Sequence, residues 1–246
     1  MKKVVTFGEV MVRLAPSDHD RFVQSCPGSI DLTFGGAESN VAASISILGG
    51  SSRFVSALPK HAIADAFVRQ MRGFKVDVDH VLRREAGRFG IYYVETGANQ
   101  RPSRVIYDRD YSAVSMCSGE EYDWDAIFAD AQWLHISGIT LAISETATHA
   151  AILAAEKAQA AGVKVSCDLN FRKNLWRWRS GSDARSLARS IMPDFLENVN
   201  VIIGNEEDAA DVLDIHAGDT DVHSGSLEIA HYPDVARQIA QRFNNV

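Results

Sequence analysis

The chain has 246 residues, 46% of them hydrophobic, enough to bury a substantial core in one large domain and to exclude disorder as its ground state. Its 25 Lys and Arg against 32 Asp and Glu give a net charge of −7, which excludes a surface broadly attractive to nucleic acid or anionic membrane. Cys26, Cys117 and Cys167 are widely spaced and form no C-x-x-C pair, a usage that fits reduced thiols and a cytoplasmic setting. The basic opening Met1-Lys2-Lys3 is followed by an apolar run that Glu9 and Arg13 interrupt, so it does not read as a signal peptide, and no apolar stretch has the length of a membrane span.

In chain order, Val4 to Phe7 reads as a buried strand ending at Gly8, whereas residues 9 to 34 show no sustained helical period. Phe34-Gly35-Gly36 leads into Ser39-Asn40-Val41-Ala42-Ala43 and an apolar series that Gly49-Gly50 stops, a glycine turn opening a helix. Arg53 to Ala57 is expected as a strand and Ile63 to Arg72 as a helix. Gly90 to Glu95 and Arg104 to Tyr107 read as strands joined through Gly97 and Asn99 in a hairpin. From Trp133 onward strand and helix alternate: strand 133–137, helix 144–161, strand 163–168, helix about 181–191, strand 199–204 and helix 206–213. Such alternation implies βαβ units and a parallel sheet. His216 to Ser226 is polar and reads as a surface loop.

An open parallel sheet presents its ligand-binding groups beyond the carboxyl ends of its strands, and the chemistry-bearing residues fall there. Asn40 at a helix start beside Gly35 and Gly36 serves either as a cap or as a contact for a polar or anionic ligand. Asp168, Asn170 and Arg172 follow an apolar strand; they form either a hydrogen-bonded turn or a metal, phosphate and carboxylate site in which Arg172 grips an acid bidentately. Asn205 to Asp208 follow another strand, and their carboxylates suit either Mg²⁺ held through water or the positive end of a helix. Tyr107 and Arg109 project to one face of the hairpin that also carries Tyr92, offering a phenol and a guanidinium to a substrate or simply an exposed salt-bridged strand. The basic and aromatic segment 172–179 reads as a loop over the fold with Trp176 tucked beneath it rather than as a nucleic-acid platform. His61, His80, His135 and His149 show no paired metal spacing.

Taken in order, Gly35-Gly36-Ala37-Glu38-Ser39-Asn40, Tyr107-Asp108-Arg109, Leu134-His135-Ile136-Ser137-Gly138, Asp168-Leu169-Asn170-Phe171-Arg172 and Asn205-Glu206-Glu207-Asp208 resemble the PfkB sugar kinases over essentially the whole chain. The details lean toward kinases of 2-dehydro-3-deoxygluconate. The resemblance implies a ribokinase-like three-layer α/β/α core with a mostly parallel central sheet and a small β-sheet lid drawn from about residues 10–35 and 87–112. It gives sugar contacts to Gly35, Gly36, Asn40, Tyr92, Tyr107, Arg109 and Arg172, and the phosphate and metal side to Asp168, Asn170, Asn205 and Asp208, with Mg²⁺ held through water near Asn205 and Asp208.

The implied reaction transfers the γ-phosphoryl of ATP to the terminal hydroxyl of a sugar acid, with Mg²⁺ and a monovalent cation as the cofactors the resemblance suggests. Neither nucleic acid nor membrane is an expected partner, and a homo-oligomer through the lid is an expected one. A ketohexose kinase such as fructokinase is the near alternative, and a non-catalytic sugar-binding protein the distant one. No Gly-Ala-Gly-Asp segment occurs in residues 1–246. His216-Ala217-Gly218-Asp219 comes too soon after the metal-side helix to serve as that motif, so the resemblance places the C-terminal part of the fold and its catalytic Asp beyond Val246. Residues 1–246 alone are then expected to be inactive, with a sheet edge left unsupported.

Overall fold

A computed structural model describes residues 2–216 and 232–246; the loop expected from His216 to Ser226, and Asp219 with it, otherwise lies outside the described residues. Five parallel strands form the central sheet in the order β11-β10-β9-β1-β4: β1 (Lys3–Phe7), β4 (Ser52–Val55), β9 (Ala131–Ser137), β10 (Lys164–Asp168) and β11 (Val201–Ile203). A second, four-stranded sheet runs β3-β2-β7-β8 and comprises β2 (Met11–Ala15), β3 (Asp31–Gly35), β7 (Gly90–Glu95) and β8 (Arg104–Asp108). β5 (Ala57–Pro59) and β6 (Leu82–Arg84) make a separate parallel pair. The mostly parallel core and the small extra sheet are those expected from the sequence.

Helices cover both faces of the central sheet. On one side Val5, Phe7, Leu134, Ile136 and Val165 pack against α6 (Glu145–Ala160) and α7 (Ala184–Leu196). α6 meets them with Ala147, Ala150, Ala151, Ala154, Ala155 and Ala158, all fully buried, and these small side chains let helix and sheet approach closely. On the other side Ala42 of α2 (Ala37–Ile47) joins Phe54 of β4 and Phe67 of α3 (Ala62–Gly73). Phe34 of β3 and Phe89 continue this second cluster under the small sheet.

Several sequence expectations need adjustment. The strand expected over 53–57 breaks at Ser56, because β4 pairs with β1 whereas Ala57 onward turns to pair with β6. α7 begins at Ala184, where Asp183 caps it by accepting from the Arg185 and Ser186 N–H groups at 3.0 and 3.1 Å. It then runs through Pro193 to Leu196 rather than stopping near 191. Burial of Met192, Phe195 and Leu196 outweighs the roughly 3 kcal/mol that an internal proline costs. Short helices α1 (Phe22–Ser25), α4 (Trp124–Phe128) and α5 (Gly138–Ala142), together with α8 (Glu206–Leu213) and α9 (Tyr232–Arg242), complete the helical set described; of these only α8 is anticipated by the pattern.

An ion network locks the amino ends of the strands, away from the candidate site. Lys3 reaches Asp77 at 3.0 Å and Asp130 at 2.7 Å, and Arg53 bridges the same two carboxylates at 2.8 and 2.9 Å. Burial alone would raise the Asp77 pKa, but the Asp79 N–H, Lys3 and Arg53 together bring it down to about 2. Stability from this group is therefore present above the ordinary aspartate pKa and lost as pH falls through about 2. Asp77→Asn is expected to cost about 1 kcal/mol at pH 7, a partly screened value. Denaturant titrations at falling pH should show the gap to wild type closing toward pH 2, and a gap independent of pH would contradict the assignment.

Candidate functional site

The carboxyl ends of β1, β9 and β10 meet the start of α2, and a buried carboxylate joins them. Glu38, in the first turn of α2, accepts at Oε1 from the Ser137 N–H (2.9 Å), the Ser137 hydroxyl (2.6 Å) and the Thr140 hydroxyl (2.9 Å). Gly8, just past β1, makes space for it, since a Cβ there would stand 2.3 Å from Glu38 Cδ and Oε2. Burial pushes the Glu38 pKa up against the lowering effect of these donors.

The glycine pair before α2 is explained by the chain's own packing. A Cβ on Gly36 would lie 2.4 Å from the Glu9 carbonyl oxygen, and one on Gly35 would lie 2.3 Å from the Tyr92 hydroxyl. Both residues thus permit the small sheet to close onto the helix start. Asn40 stands one turn inside α2, exposed, its N–H donating to the Gly36 carbonyl at 2.9 Å. Tyr92 and Tyr107 are register partners in β7 and β8, with ring centroids 6.1 Å apart.

A cavity of about 690 Å³ opens between this helix start, the small sheet and the loop after β10, a size suited to a small metabolite. Gly36, Tyr107, Arg109 and Arg172 line it, so the structure gathers four of the sequence-predicted residues from distant segments onto one wall. Gly35, Asn40 and Tyr92 flank that wall without being among its lining residues. Glu9 and Lys173 also line the cavity, and the sequence reading assigned no ligand role to Glu9.

The charges on this wall are unequally compensated. Arg109, buried and set over the Tyr107 ring, forms an ion pair through Nη2 with Oε2 of the equally buried Glu9. Arg185 pairs with Asp211. Arg172 is exposed and, among the described residues, donates only to the carbonyl of the adjacent Phe171, at 3.0 Å. Among the described residues, no carboxylate lies within ion-pair distance of Arg172 or Lys173. Trp176 is buried beneath this loop as expected, and Arg177 ties the loop to Asp110 at 2.9 Å.

Asp168, Asn170, Asn205 and Asp208 gather at the ends of β10 and β11. Asn205 caps α8, accepting from the Asp208 N–H at 2.7 Å, and Asp208 Oδ2 accepts in return from the Asn205 N–H at 3.4 Å. Asp208 Oδ1 also accepts from the Phe171 N–H at 2.9 Å, so this carboxylate pins the loop carrying Arg172. Asn170 holds a left-handed conformation, φ 40°. Burial, then the neighbouring Asp208 charge, raise the Asp168 pKa, while Arg172 acts on it through space in the opposite sense. No group of three or more His, Cys, Asp or Glu able to enclose a metal occurs among the described residues.

A parallel sheet with a ligand cavity at its carboxyl edge, roofed by a small sheet inserted in the chain, is the architecture of a ribokinase-like sugar kinase. The pfkB family carbohydrate kinase model matches residues 1–232, and the chain belongs to that family. It is 37% identical over 213 residues to a 2-dehydro-3-deoxygalactonokinase of Haloferax volcanii, covering 87% of this chain and 64% of that protein. It is 30% identical to a fructokinase of Salmonella typhimurium, over 84% of this chain and 61% of the relative. The crystal structure of 2-dehydro-3-deoxygluconokinase from Thermotoga maritima superposes with a TM-score of 0.89 at 40% identity, over 99% of this chain and 70% of that one. The chain thus spans somewhat under two thirds of the length of these two sequence relatives.

The raised Glu38 pKa has a thermodynamic sign. A carboxyl whose folded pKa exceeds its unfolded value favours the folded state below the unfolded pKa, and that contribution is lost as pH rises through the folded pKa. Glu38→Gln removes the titration while keeping an acceptor for Ser137 and Thr140. The stability of wild type relative to this variant is expected to be greater at pH 5 than at pH 7, and equal differences at the two values would contradict the assignment.

Proposed function

We propose that the complete protein phosphorylates the terminal hydroxyl of 2-dehydro-3-deoxygluconate at the expense of ATP, giving 2-dehydro-3-deoxy-6-phosphogluconate. The observation that carries this reading is the Arg172 guanidinium on a sugar-sized cavity wall, with no carboxylate of the described residues at ion-pair distance, since a guanidinium recognises a carboxylate bidentately and a neutral hexose has none. Tyr107 and Arg109 face the sugar from the lid, and Gly36 bounds it at the start of α2. Gly35, Asn40 and Tyr92 complete the sugar side; of these Asn40, exposed one turn into α2, is a contact available once the lid closes.

Burial, and then the neighbouring Asp208 charge, raise the Asp168 pKa. That arrangement fits Mg²⁺ held through water beside Asn205 and Asn170. Bound there, the ion would neutralise charge on the transferring phosphates. Asp208, with both oxygens engaged by backbone N–H groups, orients the loop that presents Arg172 and shapes the metal side. Exposed Leu32, Val105 and Ile106 on the lid strands support a homo-oligomer through the lid, and the free thiols of Cys117 and Cys167 agree with a cytoplasmic setting. Among the described residues no helix is long and apolar enough to cross a membrane.

The similarity to a fructokinase makes a ketohexose the rival substrate. Steady-state assays of the complete protein with ATP should give a higher kcat/KM for a 2-dehydro-3-deoxy aldonic acid than for fructose. Arg172→Leu should raise KM for the acid about 10- to 100-fold, the range for a lost charge-assisted hydrogen bond, and leave fructose nearly unchanged. Preference for fructose, or an equal effect of the substitution on both substrates, would overturn the substrate assignment.

A further inference from the structure

Arg109 and Arg172 both line the cavity, yet their electrostatic settings are opposite. The Arg109 guanidinium shares a buried ion pair with Glu9, whose side chain is 2% exposed against 7% for Arg109. Nη2 is committed to Glu9, and among the described residues Nε and Glu9 Oε1 are buried without hydrogen-bond partners and Nη1 donates to no protein group. Glu9 itself is fixed from both sides: its backbone carbonyl packs against Gly36, and its Oε1 sits where a Cβ on Gly90 would be only 3.0 Å away. The end of the cavity near β1 therefore offers a donor whose charge is cancelled, while the Arg172 and Lys173 end carries cationic charge with no carboxylate of the described residues at ion-pair distance.

We infer that Glu9 is a positioning residue that sets substrate specificity through Arg109. It holds the guanidinium at the wall and neutralises it, so that Arg109 donates to sugar hydroxyls and the substrate carboxylate is directed to Arg172. A cation and an adjacent anion attract a distant carboxylate much less than a lone cation does, and discrimination between two ends of a ligand is a difference of such terms. With two uncompensated arginines an aldonic acid could enter in either sense; with one it enters in a single orientation, its hydroxyl-bearing tail away from Arg172. This inference deepens the kinase reading and rests on it for the identity of the ligand. The charge asymmetry itself is a property of the cavity.

The test is calorimetric titration of the complete protein, without nucleotide, using 2-dehydro-3-deoxygluconate and fructose, and reading the ratio of their affinities. Glu9→Gln frees the Arg109 charge and is expected to raise the acid-over-fructose ratio about tenfold. Arg172→Leu should lower the ratio, and Glu9→Gln added to Arg172→Leu should restore much of it, because Arg109 then takes the carboxylate. A residue that merely supports the fold would weaken both ligands by one factor and rescue nothing, and that result overturns the inference.

If Glu9→Gln alone does not fold, the double variant Glu9→Gln with Arg109→Gln removes both charges together. It should leave the ratio within about twofold of wild type, whereas Arg109→Gln alone should depress it by exposing the acid to the bare Glu9 carboxylate. Equal ratios for these two variants also overturn the inference. A wild-type ratio below one would count against the proposed substrate, while the shifts among variants would still decide the role of Glu9.

Discussion

The structure depends on a carboxylate placed almost out of reach of water where strand ends converge. Glu38 gathers a backbone N–H and two hydroxyls from the Ser137–Thr140 turn onto one oxygen, and its carboxyl occupies the space that Gly8 leaves empty. An unpaired buried charge would be costly; here the donors offset part of that cost and in return fix the start of α2 relative to β1 and β9. Because Gly36 precedes this helix and packs on the Glu9 carbonyl, the position of Glu38 propagates to the cavity floor and to the Glu9–Arg109 pair. The amino ends of the strands are held independently by Lys3, Arg53, Asp77 and Asp130, which leaves the carboxyl ends free to specialise in binding.

Charge on the cavity wall follows from how each arginine is mounted. Arg109 leaves a strand of the small sheet and is buried against Glu9 and Tyr107, so its geometry is set before any ligand arrives. Arg172 sits on a loop held by the Asp208 capping box and by the buried Trp176, with its head group in solvent. Under the proposed function a fixed, neutralised donor and a solvated cation would have different uses, the first reading shape and hydroxyls and the second reading charge. The same loop approaches the Asp168 and Asp208 carboxylates, which brings the sugar side and the phosphate side of the proposed reaction onto one segment.

Periodicity revealed the elements whose burial is one-sided and continuous. β1, α2, α3, β9, α6, β10 and α8 all fall within a few residues of their expected bounds because their apolar spacing or capping residues are local signals. β2 and β3 were not separable by pattern, since Asp31, Leu32 and Thr33 are exposed and no alternation marks an inner face; only the family resemblance indicated a lid there. α7 overran its proline because tertiary burial decided the matter. At the site, Gly36, Tyr107, Arg109 and Arg172 were legible as motif residues, but their partners were not. Glu9 read only as an interruption of an apolar run and Glu38 as one letter of a motif, because an ion pair and hydrogen bonds spanning about a hundred positions leave no trace in local spacing.

Under the proposed function, the cavity bounded by the start of α2, the end of β8 and the loop after β10 is where the sugar acid binds. Hydrogen–deuterium exchange of the complete protein with and without 2-dehydro-3-deoxygluconate tests it most directly, since bound ligand suppresses local opening of the backbone around it. Added protection is expected in residues 35–41, 105–112 and 169–176, with the ion network at the opposite ends of the strands unchanged. Protection confined to other segments, or absent at a saturating concentration of the acid, would contradict it.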